Sequence, residues 1–192
     1  MRVFIAVLIL IFSFQSLTKA EDISEFEIEG MSIEDSLLEF MTKNKIYNHE
    51  KTYHYATKDY YQIDIAGKSE LYERIAIDLK NNDDKFLIKN IEGAIEFKDK
   101  NKKRCQNLME EIANSLSQNF NLKKVDDKGK LDWDKSGKST YDRINFILPN
   151  EKYHQITIIC QYWDESTPFG YWLKTGIHSN EFLDYLEYKA YN

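Results

Sequence analysis

The chain opens on its longest apolar run, Val3 to Phe14, interrupted only by Ser13. One positive charge, Arg2, precedes it, and Thr18-Lys19-Ala20 follows with small residues where a signal peptidase needs them. A bilayer span needs about 20 apolar residues, so the run is too short to be one. The pattern predicts a signal peptide over residues 1–20 and a mature chain opening at Glu21-Asp22.

Past that run the apolar positions switch between helical and strand periods. Ser32-Ile33-Glu34-Asp35 reads as a helix start, with Ser32 as N-cap and Asp35 completing a capping box. Ile33, Leu37, Phe40 and Met41 keep helical spacing as far as Asn44. Residues 45–59 are polar and Tyr-rich and read as a loop. Tyr60 to Ile65 reads as a short strand, and residues 71–80 alternate with a two-residue period. Asn81-Asn82-Asp83-Asp84 is turn chemistry. Phe86 to Phe97 returns as a strand, and Gly93 inside it predicts a bulge or bend.

Cys105, Leu108, Met109, Ile112, Leu116 and Phe120 then form the core stripe of a second helix. Asn121 to Lys138 reads as a polar loop carrying Trp133. Three more strands are expected over Thr140–Leu148, Tyr153–Trp163 and Phe169–Ile177. Ser179 caps a last helix with Phe182, Leu183, Leu186 and Ala190 on its apolar side. The expected order is helix, three strands, helix, three strands, helix. Short connections favour antiparallel pairing. The expected fold is therefore α+β, with helices packed on one face of a mostly antiparallel sheet, in a single domain over residues 21–192. Residues 32–98 and 102–178 share an αβββ pattern, which suggests a pseudo-repeat.

Composition sharpens the picture. Removing Arg2 and Lys19 from the 26 bases leaves 24 against 32 acids, a net charge of −8 for the mature chain. That balance argues against nucleic acid as a partner, and against a polybasic attachment to membranes. The bases are mostly Lys and are accompanied by many Asn and Ile, a codon bias rather than chemistry. The 13 Tyr and 3 Trp all lie in the mature part, which belongs to a packed fold.

The two cysteines, Cys105 and Cys160, form an even pair in an exported chain, which predicts one disulfide. Both fall at core-facing positions, so the second helix must cross the sheet near the strand of Cys160. The alternative is a reactive thiol at Cys160 with His154, which shares its strand parity. No cysteine follows the cleavage site to carry a lipid anchor.

Several motifs tempt and fall short. Gly137-Lys138-Ser139-Thr140 resembles the end of a phosphate loop, but Asp132 stands where its first glycine belongs and a strand follows instead of a helix. Asp132, Asp134, Ser136 and Gly137 mimic the start of a calcium loop, but Arg143 occupies the position of the closing acid. His49, His54, His154 and His178 have no zinc-ligand spacing, and no nucleophile elbow is present. No catalytic residue, metal site or cofactor is assigned. One constellation remains. Trp163, Asp164, Glu165 and Trp172 crowd a single aromatic hairpin, and parity places Trp172 opposite the Phe169, Tyr171, Leu173 stripe. An outward Trp beside carboxylates can stack on a sugar or hold a peptide. The other reading is a Trp lying on the second sheet face under a loop.

The phrase Phe26-Glu27-Ile28-Glu29-Gly30-Met31-Ser32-Ile33-Glu34-Asp35-Ser36-Leu37-Leu38 resembles the opening of a set of small exported bacterial proteins. Asp134 to Thr140 and Cys160-Gln161-Tyr162-Trp163 resemble them too. This likeness covers most of the mature chain and implies no activity. Gly30-Met31-Ser32 is also similar to the helix start of small outer-membrane assembly lipoproteins and of the beta-lactamase-inhibitor-like fold. The expected function is a non-enzymatic binding or cell-envelope accessory protein, periplasmic or secreted. Its expected partner is a glycan, a peptide or an envelope protein. The alternative is a small hydrolase using dispersed carboxylates or His154.

Overall fold

The computed structural model describes residues 23–68, 71–120, 122–149, 151–153 and 155–191. The predicted signal peptide and His154 lie outside these residues. The described chain is mixed α+β, with seven strands in one antiparallel sheet and three helices. The strands are β1 (Tyr60–Ala66), β2 (Arg74–Lys80), β3 (Ile88–Phe97), β4 (Lys123–Lys130), β5 (Thr140–Ile147), β6 (Ile156–Tyr162) and β7 (Tyr171–His178). The helices are α1 (Lys43–Asn48), α2 (Lys102–Asn119) and α3 (Asn180–Tyr188).

The sheet runs β1-β2-β3-β7-β6-β5-β4. The first three strands meander outward to inward. The chain then crosses by α2 to the far edge and meanders back, so the last strand closes against β3 in the middle. Every pairing is antiparallel.

One face of the sheet is the core. Ile63, Ile75, Ile77, Ile91, Ile144, Phe146, Ile158, Cys160, Leu173 and Ile177 are all buried on it. α2 lies across β5, β6 and β7 on this side, and its stripe of Cys105, Met109, Ile112 and Leu116 is buried against them. Asn101 starts α2, its side-chain oxygen accepting the Arg104 N–H at 3.0 Å. The Cys105–Cys160 disulfide staples helix to sheet with a Cα–Cα distance of 6.1 Å. Beside it, Gln106 and Tyr162 both donate to Asp142 Oδ2, at 2.7 and 2.9 Å.

Four expectations need correction. The helix over residues 32–44 does not form. Glu34 sits at φ 70, in the left-handed region, and the backbone there bonds to the start of β3. Glu34 N–H donates to Ile88 O, Leu37 N–H to Phe86 O, and Ile88 N–H to Asp35 O. Ile33 and Leu37 are buried as their spacing implies, but in an irregular segment with a 3-10 turn at Leu37–Glu39. Ser32 is no cap: its hydroxyl donates to Phe26 O at 2.8 Å, and its N–H to Asp35 Oδ2 at 2.7 Å. A short helix, α1, begins only at Lys43 under the Thr42 cap and runs on into the expected loop.

Second, β4 replaces part of the expected loop over 121–138, so four strands follow α2 and not three. It is an edge strand whose sequence, KKVDDKGK, has no apolar face to give it away; charged edges of this kind resist further pairing. Third, Gly93 makes no bulge. A Cβ there would come within 2.6 Å of the Tyr72 ring, so the glycine makes room for that side chain. The irregularity lies earlier, where Asp78 and Leu79 pair with Asn90 and Ile88. Fourth, the helices do not share one face. α1 buries Ile46 in the main core, but α3 packs Phe182 and Tyr185 on Tyr60, whose side chain points the other way.

Candidate functional site

The second face of the sheet takes the even residues of β1, β2, β7 and most of β3, and the odd residues of β4, β5 and β6. α3 covers the corner at Tyr60, Lys80 and Lys89, where Glu181 takes Lys80 Nζ at 2.6 Å and Lys89 Nζ at 2.7 Å. Among the described residues no helix lies over this face of β5, β6 and β7.

Trp172 stands near the middle of it, half-buried, with Glu96 of β3 on one side and Gln161 of β6 on the other. The Arg74 guanidinium lies 5.6 Å from its ring centroid, a cation–π arrangement. Among the described residues no acceptor takes the Trp172 indole N–H. The next row across the strands reads Arg74, Ala94, Lys174, Ile159, Arg143, Asp127. Three cations therefore line up on alternate strands, and each has a carboxylate. Arg74 lies 3.5 Å from Asp64, Lys174 lies 2.9 Å from Glu92, and Arg143 pairs with Asp127. Arg143 also stacks 5.0 Å from the ring centroid of Tyr141, whose hydroxyl donates to Asp127 at 3.1 Å.

At the α3 end the face carries a buried polar row. Asn90 donates its Nδ2–H to Asp78 Oδ2 at 2.6 Å, and its Oδ1 lies 2.5 Å from His178 Nδ1. That geometry puts the imidazole proton on Nδ1, since a carboxamide oxygen only accepts. His54 Nε2 lies 2.7 Å from Gln62 Oε1 at the outer end of the row. Burial pushes the Asp78 carboxyl up to about 6 and holds His178 down to about 4. Gly176 permits this: a Cβ there would stand 2.9 Å from the His178 ring.

The other three residues singled out from sequence sit at the hairpin tip, not beside Trp172. Trp163 is half-exposed and packs on Phe169 with centroids 4.9 Å apart. Asp164 closes its own turn, accepting the Ser166 N–H at 3.1 Å, and Glu165 is exposed. Ser139 ties this tip to the neighbouring β4–β5 loop, its hydroxyl accepting the Asp164 N–H at 2.9 Å. The calcium-like loop is likewise closed on itself: Asp134 accepts from the Ser136 and Ser139 N–H groups, both at 2.9 Å. Among the described residues, no three His, Cys, Asp or Glu side chains gather as a metal site would require.

Sequence reasoning found Trp172 and, by strand parity, placed Lys174 and His178 on its face, but missed Arg74, Glu92, Arg143 and Tyr141. Parity alone puts them on the same face, but their adjacency needs the strand order. On the core side, an apolar cavity of about 20 Å³ lies between Phe26, Tyr72, Ile112, Leu116 and Ile177. It has room for about one water molecule.

No family model matches the chain, and neither a curated protein nor a solved structure gives a significant match.

Proposed function

We propose that this chain is an exported, non-enzymatic binding domain of the cell envelope that presents the open face of its sheet to a ligand. The observation that carries this is the position of Trp172. A large, half-buried aromatic ring lies on a sheet face that no helix covers over β5, β6 and β7 among the described residues. Aromatic side chains enrich binding surfaces because they offer contact area at little entropic cost. The disulfide and the apolar run at residues 1–20 support export into an oxidising compartment. The likeness of the Phe26–Leu38 phrase to small exported bacterial proteins agrees with the same reading.

Against the hydrolase reading, the buried Asp78 and the His178 ring are both engaged by Asn90, which stands between them, and His154 lies outside the described residues. A photo-crosslinking side chain at position 172, compared with one at Glu111 on the outer side of α2, tests the binding reading in the exporting cell. Adducts from position 172 alone are expected. Equal yields from the two positions, or none from either, defeat the proposal.

A further inference from the structure

We infer that the ligand of this face is an uncharged, extended glycan of the flat β-1,4-linked kind, lying across the strands with one sugar ring stacked on Trp172. The inference rests on the open face being a binding surface and adds the class and direction of its ligand.

Charge selects the class. Arg74, Lys174 and Arg143 form a cation row, but Asp64, Glu92 and Asp127 neutralise them in place. Glu96 accepts the Gly170 N–H at 3.2 Å and lies 4.0 Å from Lys98. Among the described residues of this face a polyanion finds its cations, and a basic peptide its carboxylates, already paired; either must break existing pairs. A sugar hydroxyl has no such requirement, because it donates and accepts at once and can bridge a carboxylate to a guanidinium. Gln161 and Asn145 are buried beneath this face, and Asn145 Oδ1 takes the Thr157 hydroxyl at 3.1 Å, so the groups on offer to a sugar are the Trp172 ring and the partly exposed charge pairs. An extended peptide is disfavoured for a separate reason. Peptides that add to sheets pair with an exposed strand edge, while β6 and β7 are paired on both sides.

Register gives the direction. Glu96, Trp172, Gln161 and Tyr141 form one straight row on β3, β7, β6 and β5. Trp172 and Tyr141 stand two strand spacings apart, roughly 9–10 Å. In a flat β-1,4-linked ribbon, alternate rings turn the same face downward at about that repeat. One ring then meets Trp172, the next passes Gln161, and the one after reaches Tyr141 with the Arg143 that covers it.

The test is a titration of the mature, disulfide-bonded protein with cellohexaose and with chitohexaose, followed by two-dimensional ¹⁵N–¹H spectra. Saturable shifts are expected at the Trp172 indole, Gln161, Lys174 and the amides of β5 to β7, with none along the outer side of α2. Trp172→Ala is expected to weaken binding about tenfold or more, the size of one lost stacking contact, and Trp172→Phe to retain part of it. The wild-type shift map stands even if the Ala variant folds poorly. Polygalacturonate and an oligolysine peptide serve as charged probes. If either shifts Trp172 and the neutral hexasaccharides do not, the glycan inference is overturned while the open face remains a binding surface. If no probe shifts Trp172, and position 172 also yields no crosslink, both readings fall.

Discussion

The Sγ atom of Cys105 lies 3.8 Å from the backbone carbonyl oxygen of Trp172. The disulfide on the core side therefore abuts the strand that carries the indole on the open side. Cys160 pairs with Leu173, one residue along, so the bridge and the candidate binding residue share two neighbouring strands.

Replacing both cysteines by alanine releases a constraint on 55 residues of chain. Loop-closure entropy puts the loss at about 4 kcal/mol, and measured values often fall below that figure. Urea unfolding of the double variant measures it. A shift in tryptophan emission is expected as well, since α2 no longer holds the backbone beneath Trp172.

Trp172→Ala separates the two readings of that side chain. Truncating a large buried aromatic costs about 3–5 kcal/mol. Phe146→Ala should behave that way, since Phe146 is fully buried. Trp172 is only half-buried, so a loss of about 2 kcal/mol or less is expected. Thermal unfolding of the two variants side by side gives the comparison. Equal losses would mean that Trp172 serves the fold.

Asp78 and His178 pull stability in opposite directions with pH. The Asp78 carboxyl is raised to about 6. Its contribution is fully present below its unfolded value, near 4, and is lost as pH rises through 6. His178 is depressed to about 4, so its contribution is present above roughly 6.5 and is lost as pH falls through 4. Asp78→Asn keeps an acceptor for Asn90 and removes the buried charge. It should stabilise the protein by about 1–3 kcal/mol at pH 8 and change little at pH 4. Urea unfolding at the two pH values checks this, and an equal effect at both would refute the assignment.

Glu181 holds α3 to the sheet through Lys80 at 2.6 Å and Lys89 at 2.7 Å. The hydrogen bonds from Lys80 and then Lys89 lower its carboxyl to about 2. That contribution is present above its ordinary value and is lost as pH falls through 2. The carboxylate is well exposed, so Glu181→Gln should cost no more than about 1 kcal/mol. Faster hydrogen exchange confined to residues 180–188 is the expected signature.

Intact mass of material exported by a bacterial host decides the processing of the chain. A mature protein beginning at Glu21 is expected, and retention of residues 1–20 would contradict it.

What the sequence made legible follows from where its periodicities are enforced. α2 and β5 to β7 were readable because each buries one clean stripe, and Cys105 and Cys160 fell on facing stripes for the same reason. The segment from Ser32 to Asn44 was not readable. Its apolar spacing suits a helix, but the left-handed Glu34 and the pull of Phe86 and Ile88 on its backbone decide otherwise. β4 was invisible because an edge strand buries little on either side. At the candidate site, parity exposed Trp172, but its partner Arg74 lies far away in sequence. Their contact exists only because β7 pairs with β3, a long-range choice that no local pattern records.

The strand made last occupies the central slot of the sheet. Until residues 171–178 are available, β3 and β6 each carry a bare inner edge, and the two meanders remain separate ribbons with nothing to align them. Bare edges are sticky, and pairings this distant in sequence form slowly. The sheet is thus completed from its C-terminal end inward, and a chain cut short before β7 forfeits both the keystone and Trp172.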